Sequence, residues 1–288
     1  MNVLRTILLA CYFALATLPL AWMALTSLKT QDDAIARRVK FIPAVDAPAP
    51  DSRGFVVSGQ SWSSLGKTSP LTGRSFYHYL LNSVLIGLTS TAASVALATC
   101  AAYGFSRFRL AGAKDWLFFI LSTRFLPPLA VVVPILVMYR ELELTNTHVG
   151  LIVLYTAFNL SLAVWLMKGF IDEIPRAFEE AALVDGYSRL HAFFRITLPQ
   201  ASTGMAVTAV FCLISAWNEY AFALSLNQSA ETAKTVPVYF ASLQGSTTGI
   251  NWPQIAAGSL LFVLPIVVFT VLIRKHLLRG VTFGTVKQ

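Results

Sequence analysis

Ile171-Asp172-Glu173-Ile174-Pro175-Arg176-Ala177-Phe178-Glu179-Glu180-Ala181-Ala182-Leu183-Val184-Asp185-Gly186 is the stretch on which the fold turns. It is polar, it sits between two long apolar runs, and both of its ends are marked. Asp172 or Glu173 can supply acceptors for the free N–H groups that open a helix. Pro175 suits the first turn, because its missing N–H would be unpaired there anyway. Glu179, Glu180, Ala181, Ala182 and Leu183 are good helix formers. Gly186 ends the helix, since glycine enters the left-handed cap without penalty. The spacing predicts a short helix over Pro175–Gly186 at the membrane surface. Phe178, Ala181, Ala182 and Asp185 share one face at i, i+3, i+4 and i+7. A large aromatic beside two alanines makes a knob with a flat shoulder, suited to a groove on a partner. On these residues alone, an interfacial connector helix is an equally good reading.

The neighbouring runs set the fold class. Val149–Phe170 precedes this helix and Ala201–Leu226 follows it; the others are Thr6–Leu28, Ser83–Phe105, Trp116–Tyr139 and Ile255–Ile273. Each is near or above the ~18–20 residues that cross a bilayer as a helix. Strands of a barrel would run for about 10 residues and alternate strictly, whereas these runs are longer and apolar all round. Composition agrees: 56% of the 288 residues are hydrophobic and 12% are charged, with mean hydropathy +0.64. Soluble domains carry about 25% charged residues, so a water-soluble surface is excluded. The expected fold class is an all-α integral membrane protein with six transmembrane helices and a cytoplasmic connecting helix. Arg5 before the first run imitates a secretory n-region. The run is longer than such a segment and five more follow, so an uncleaved first helix is expected.

Six spans place both termini on one side. With the termini cytoplasmic, the inner segments hold Arg5, then Arg107, Arg109 and Lys114, then Arg176, Arg189 and Arg195, then Arg274, Lys275, Arg279 and Lys287. The short outer loops hold only Arg140 and Lys234. This is the positive-inside pattern. Residues 29–80 argue against it with Lys29, Arg37, Arg38, Lys40, Arg53, Lys67 and Arg74, but long loops weigh less in that rule. The expected organisation is a first transmembrane helix with a long external loop over 1–82. A core of five spans over 83–288 follows, with the connecting loop at 171–199 and a cytoplasmic tail at 274–288.

Several functions are disfavoured. Basic helix flanks explain the net charge of +8, and no basic stripe interleaved with aromatics marks a nucleic-acid partner. Cys11, Cys100 and Cys212 lie inside the proposed spans without metal or disulfide spacing, and are expected to be small packing residues. His78, His148, His191 and His276 are scattered, so no metal site is expected. No catalytic constellation of paired His or clustered carboxylates occurs inside the spans. Ser61-Trp62-Ser63-Ser64-Leu65-Gly66-Lys67-Thr68 imitates a phosphate-binding loop. The full pattern needs Gly where Ser61 stands, with a strand before it and a helix after it. Ser69-Pro70-Leu71-Thr72-Gly73 follows instead, which is turn chemistry. A Gly/Ser-rich external loop is expected here, and no nucleotide site in this chain.

The opening stretch is part of a longer pattern. Glu180-Ala181-Ala182, three residues, Gly186, nine residues, Ile196, one residue and Leu198-Pro199 fill every fixed position of the E-A-A signature of ABC-importer permeases. Beyond it, the chain resembles the second permease subunit of carbohydrate ABC importers, the maltose-permease type, from residue 76 to the end. Arg124-Phe125-Leu126-Pro127-Pro128 with Pro134 resembles that family's third-helix segment. Leu144-Thr145-Asn146-Thr147-His148-Val149-Gly150-Leu151-Ile152 resembles its external turn, and Trp217-Asn218-Glu219-Tyr220 its fifth-helix element. Gly280-Val281-Thr282-Phe283-Gly284-Thr285-Val286-Lys287-Gln288 resembles its tail. Residues 30–75 depart from the family, and Pro43, Pro48 and Pro50 suggest irregular structure there.

The resemblance implies alternating access in the cytoplasmic membrane. The implied partners are a second, homologous permease subunit, two ATPase subunits that bind the ATP and Mg, and an extracytoplasmic substrate-binding protein. The cargo it implies is a sugar or polyol. Phe178, Glu180, Ala181, Ala182, Asp185 and Gly186 would form the contact of a coupling helix with an ATPase, and Thr282, Gly284 and Lys287 a contact of the tail. Arg124 is a charge well inside a span, and such charges usually face a cavity or a partner group. It is a pathway candidate, with pairing to a Glu of a neighbouring subunit as the alternative. Asn159, Trp217, Asn218 and Glu219 are further pathway candidates, although the two asparagines can equally join helices by hydrogen bonds. Tyr155, Phe158 and Trp165 are aromatics able to stack on a sugar ring or simply to pack. An ion-driven carrier and a structural subunit of a larger membrane complex are the competing readings. Neither accounts for the E-A-A loop.

Overall fold

The computed structural model describes residues 3–44, 52–69, 72–227, 231–244 and 249–283. The chain opens with α1 (Val3–Ser27), apolar all round. The segment after it forms α2 (Gln31–Ala34), a parallel pair of strands β1 (Ile42–Ala44) and β2 (Gly54–Val56) with Ile42 opposite Gly54, and α3 (Gln60–Gly66). The segment expected to be irregular therefore carries regular structure in its described part. The Gly66-Lys67-Thr68 triplet stands at the C-terminal end of α3, where carbonyls rather than N–H groups are free. That arrangement is the reverse of a phosphate cradle.

The spans follow as α4 (Phe76–Arg107), α5 (Ala113–Ser122), a 3-10 turn (Thr123–Phe125), α6 (Pro128–Glu141) and α7 (His148–Asp172). The run Trp116–Tyr139, expected as one span whose prolines Pro127, Pro128 and Pro134 bend it, turns by 94° between α5 and α6. Pro127 and Pro128 both lack an N–H, and a residue before proline is pushed out of the α region. Leu126 and Pro127 accordingly take extended ψ values of 122° and 125°. The turn into α7 is closely fitted. Asn146 has φ +60°, Thr147 caps the helix by accepting from the Gly150 N–H at 3.0 Å, and a Cβ on Gly150 would lie 2.2 Å from the Leu144 carbonyl.

Past α7 come α8 (Arg176–Val184), α9 (Arg189–Ala192), a π turn (Phe193–Thr197), α10 (Leu198–Gln200), α11 (Ser202–Trp217) and α12 (Ala221–Leu226). The segment Arg189–Gln200 meets α11 at 70°. The π turn precedes Pro199, which has no N–H to return to the carbonyl four residues back. The run Ala201–Leu226, expected to be continuous, breaks after Trp217. The chain continues through α13 (Val236–Gln244) and α14 (Trp252–Phe283). Among the described residues, four helices are long and apolar enough to cross a membrane, or six if each bent pair forms one span.

The chain divides into two compact units. One comprises the described residues of Met1–Leu81 and Thr235–Pro265. Its core gathers Leu65, Phe76, Tyr79, Val236, Tyr239 and Ala257, with the Tyr79 and Tyr239 rings stacked at 4.7 Å. The other comprises those of Asn82–Lys234 and Ile266–Gln288. Its core is built from small and flexible side chains, Ala98, Ala102, Ala163, Val164, Met167, Ile171 and Cys212, where α11 packs on α7. Cys212 thus packs as expected, whereas Cys11 and Cys100 are exposed.

Candidate functional site

Two breaks in the helices create the first candidate site. A cavity of about 220 Å³ opens where the α5–α6 bend faces α7, α11 and α12, lined by Arg124, Tyr155, Phe158, Asn159, Ser215 and Glu219 among others. Arg124 lies in the 3-10 turn and donates to the Phe158 carbonyl and to Ser215 Oγ, each at 3.2 Å. Asn159 is buried and donates to the Cys212 carbonyl at 3.1 Å, joining α7 to α11. Glu219 occupies the break between α11 and α12. Its Oε1 accepts from the Phe222 N–H at 2.8 Å, and its Oε2 from the Ala223 N–H at 3.0 Å and the Tyr155 hydroxyl at 2.7 Å. A carboxylate at a helix N-terminus satisfies free N–H groups and complements the helix dipole. Glu219 therefore builds the cavity wall with its acceptor positions occupied.

The remaining pathway candidates lie elsewhere. Trp217 is only 4% exposed and packs at Gly87, where an added Cβ would stand 3.3 Å from the indole. Asn218 donates back to the Ile214 carbonyl at 2.9 Å and lies outside the cavity lining. Neither lines the cavity beside Arg124, to which this stretch contributes Ser215, Ala216 and Glu219. Phe158 lies in the cavity against Phe222. Trp165 lines a separate groove of about 590 Å³ between α5 and α7, whose Lys168 is already paired with Asp172.

The second candidate site is α8. Pro175 supplies the break that separates it from α7, with ψ 129°. At its other end Gly186 has φ +88°, Gly186 N–H donates to the Leu183 carbonyl and Tyr187 N–H to the Ala182 carbonyl. These two bonds are the glycine stop expected from the sequence. The faces differ from expectation. Ala182 is 5% exposed and turns inward with Glu179, while Phe178 is 51% and Val184 87% exposed. Ala181, Glu180 and Asp185 are exposed with them. The outward face is therefore Phe178, Ala181, Val184 and Asp185. Ala182 leaves the expected set because it lies one turn from Glu179 on the side packed against the chain.

Glu179 is the inner anchor. Its Oε1 accepts from Arg107 Nε and from Thr197 Oγ1, both at 2.7 Å, and its Oε2 accepts from the Tyr103 hydroxyl at 3.1 Å. Arg107 also donates to the Ile174 carbonyl at 2.9 Å, and Arg176 to the Ser106 carbonyl at 2.5 Å. Burial works to raise the Glu179 pKa. The bonds from Arg107 and Thr197, the Arg107 charge and the Tyr103 hydroxyl outweigh it and hold the carboxyl below its usual value. Sequence reading placed weight on Glu180 and passed over Glu179, Arg107, Tyr103 and Thr197. The sequence signal for them is a basic residue, Arg107, in the last turn of α4. Of the tail residues, Thr282 lies in the last turn of α14, and Gly284 and Lys287 lie outside the described residues.

Comparison with known proteins places these features in a family. The family model for the binding-protein-dependent transport system inner membrane component matches residues 94–282. The probable ABC transporter permease protein y4oR of Sinorhizobium fredii is 31% identical over 93% of this chain and 90% of its own length. The sulfoquinovosyl glycerol transport system permease protein SmoH of Agrobacterium fabrum is 29% identical over 93% of this chain and 88% of its own. The trehalose transport system permease protein SugB of Mycobacterium tuberculosis is 34% identical over 75% and 78%. In structure, the chain matches one from a bacterial ABC transporter involved in importing the acidic polysaccharide alginate. That match has TM-score 0.69 over 95% of both chains at 19% identity, a likeness of fold. The ion-driven and purely structural readings give way to these matches. The chain belongs to the family of inner-membrane components of binding-protein-dependent transport systems, and is a multi-pass permease subunit of such an importer.

Proposed function

We propose that this permease moves a sugar or polyol into the cell by alternating access, with α8 as the coupling helix that seats in a groove of an ATPase subunit. The observation that carries this reading is the two-sided character of α8. Its inner side is locked by Glu179 and Ala182, and its outer side presents Phe178, Ala181, Val184 and Asp185 with Glu180 beside them. An apolar aromatic held rigidly on an exposed helix face is the kind of anchor that fills a partner's pocket. The assembly would comprise this chain, a second and homologous permease, two ATPase subunits that bind ATP and Mg, and a binding protein at the outer face. With six spans and both termini cytoplasmic, α8 would lie on the ATPase side, a reading that the basic residues of the loops on that side support. Thr282, Gly284 and Lys287 would reach the ATPase pair as well.

The cargo would pass the cavity at the two helix breaks. Arg124 offers guanidinium donors held by two rather long bonds, which sugar oxygens can replace. Phe158 supplies an apolar face beside it. Relatives named for trehalose and for sulfoquinovosyl glycerol support a saccharide cargo. The test is to replace Glu180 or Gly186, and separately Arg124 by Gln. ATP-dependent uptake of labelled sugars in membranes is then measured alongside co-purification of the ATPase. The α8 variants are expected to lose uptake together with the ATPase or its response to substrate. Arg124→Gln is expected to lose uptake with the ATPase retained. Unchanged uptake in all three variants would overturn the proposal.

A further inference from the structure

The inner face of α8 carries a polar cluster that docking on an ATPase does not require. Three donors from two distant segments converge on one carboxylate: Tyr103 and Arg107 from the inner end of α4, and Thr197 from the π turn ahead of α11. The Arg107 and Glu179 side chains are only 5% and 10% exposed. The other ion pair of this unit near the inner surface, Lys168–Asp172, joins one turn of one helix and is far more open. Surface pairs of that kind hold little. A buried, multiply bonded pair is strongly disrupted when one partner is removed. Two further bonds run the same way, Arg107 to the Ile174 carbonyl and Arg176 to the Ser106 carbonyl. The Phe193 ring packs on Tyr103 at 4.6 Å and closes the cluster. By contrast, the covalent link from α7 to α8 passes through Pro175, whose missing N–H interrupts the helical hydrogen bonding between them.

We propose that Glu179, rather than Glu180, is the positioning residue of the coupling step, and that its tie to Arg107 makes α8, the inner end of α4 and the π turn one rigid body. A push on α8 then reaches α4 and α11 directly instead of being absorbed at Pro175. This inference rests on the reading of α8 as the helix that meets the ATPase.

The experiment uses the assembled transporter in nanodiscs, with Cys11, Cys100 and Cys212 replaced by serine. Spin labels are placed at Tyr187→Cys, whose N–H ties it to the end of α8, and Leu97→Cys on α4, both exposed positions outside the docking face. The label distance is measured without nucleotide and after trapping with ATP and vanadate. The expected result is one narrow distance that is the same in both states. Glu179→Gln is expected to broaden it, and to reduce stimulation of ATP hydrolysis by the binding protein about tenfold, within the usual range of coupling between sites, while unstimulated turnover persists. The double variant Glu179→Leu with Arg107→Leu buries no lone charge and is expected to assemble, yet to show the same broad distance and lost stimulation. Any one of three results overturns the proposal. These are a distance that shifts on trapping in the otherwise unaltered labelled protein, a double variant with a narrow distance and normal stimulation, and a double variant that cannot hold the ATPase. Phe178→Asp separates the underlying reading. It is expected to lose the ATPase while keeping the nucleotide-free distance, and if the ATPase is retained the docking reading fails while the tie stands.

Discussion

Glu179 and Glu219 both sit where the chain changes direction, and both have every carboxylate oxygen engaged, yet they hold the fold by different means. Glu179 faces a guanidinium and two hydroxyls from two other segments, and so joins pieces of chain distant in sequence. Glu219 faces two N–H groups of the helix that begins two residues later, plus the Tyr155 hydroxyl from α7. The first carboxylate works through a formal opposite charge, and the second mainly through backbone dipoles. A tie of the first kind resists being pulled apart, since separation leaves a buried arginine alone. A tie of the second kind shapes a local corner and leaves Arg124, which lines the same cavity, bonded to a carbonyl and a hydroxyl rather than to this carboxylate.

The sharpest way to break this contrast is Glu179→Ala. It strands Arg107 in a buried site, and about 3–5 kcal/mol of stability is expected to go with it. Thermal unfolding of the purified permease in detergent reads this as a large drop in midpoint. A second check uses pH. A carboxyl whose folded pKa lies below its free value stabilises the fold above the free value, and that contribution is lost progressively as pH falls from the free value through the lower folded one. For Glu179 the free value is 4.5, so coupled hydrolysis should not change through this group between neutrality and pH 4.5. Titration of the α8 tie within that interval would contradict the geometry.

Glu219→Gln should act more gently. One amide oxygen must then serve two N–H groups and a hydroxyl, at a cost of about 1–3 kcal/mol for the donors left unpaired. Uptake should fall further than stability because the corner shapes the cavity. Equal losses from Glu219→Gln and Glu179→Ala would erase the distinction between the two carboxylates. Gly186→Ala forces a side chain into φ +88° and should cost about 1–2 kcal/mol, read as a modest fall in the same unfolding midpoint. Asn159→Ala removes one bond between helices, worth about 0.6 kcal/mol on average in membranes. It is the smallest change expected, and a severe effect on uptake with stability intact would give Asn159 a role beyond joining α7 to α11.

What the sequence made legible follows from which constraints are local. The apolar runs stand out because a bilayer demands length and offers no water to a charge. The ends of α8 stand out because Pro175 and Gly186 each act on their own backbone. The bend at Pro127 and Pro128 stands out as well, although its angle does not, while the break after Trp217 carries no proline to mark it. Nor does the choice between Glu179 and Glu180 stand out. The two are equivalent helix formers, adjacent in sequence, and point about 100° apart on the helix. Arg107, 72 residues earlier, decides which one turns inward together with Tyr103 and Thr197. For the same reason Ala182 was assigned to the outer face and Trp217 to the cavity: each assignment needed to know where a helix stops or what covers it.

The first helix raises a different matter. Of the 25 residues in α1, Ser27 alone is buried, so within this chain almost no packing fixes the helix along its length. A helix of that length rises about 37 Å, somewhat more than the ~30 Å hydrocarbon slab it must match. The difference is absorbed by tilt or by local thickening of the lipid. Its inclination is thus a property of the membrane as much as of the protein, and bilayers of different acyl length should set this helix at different angles.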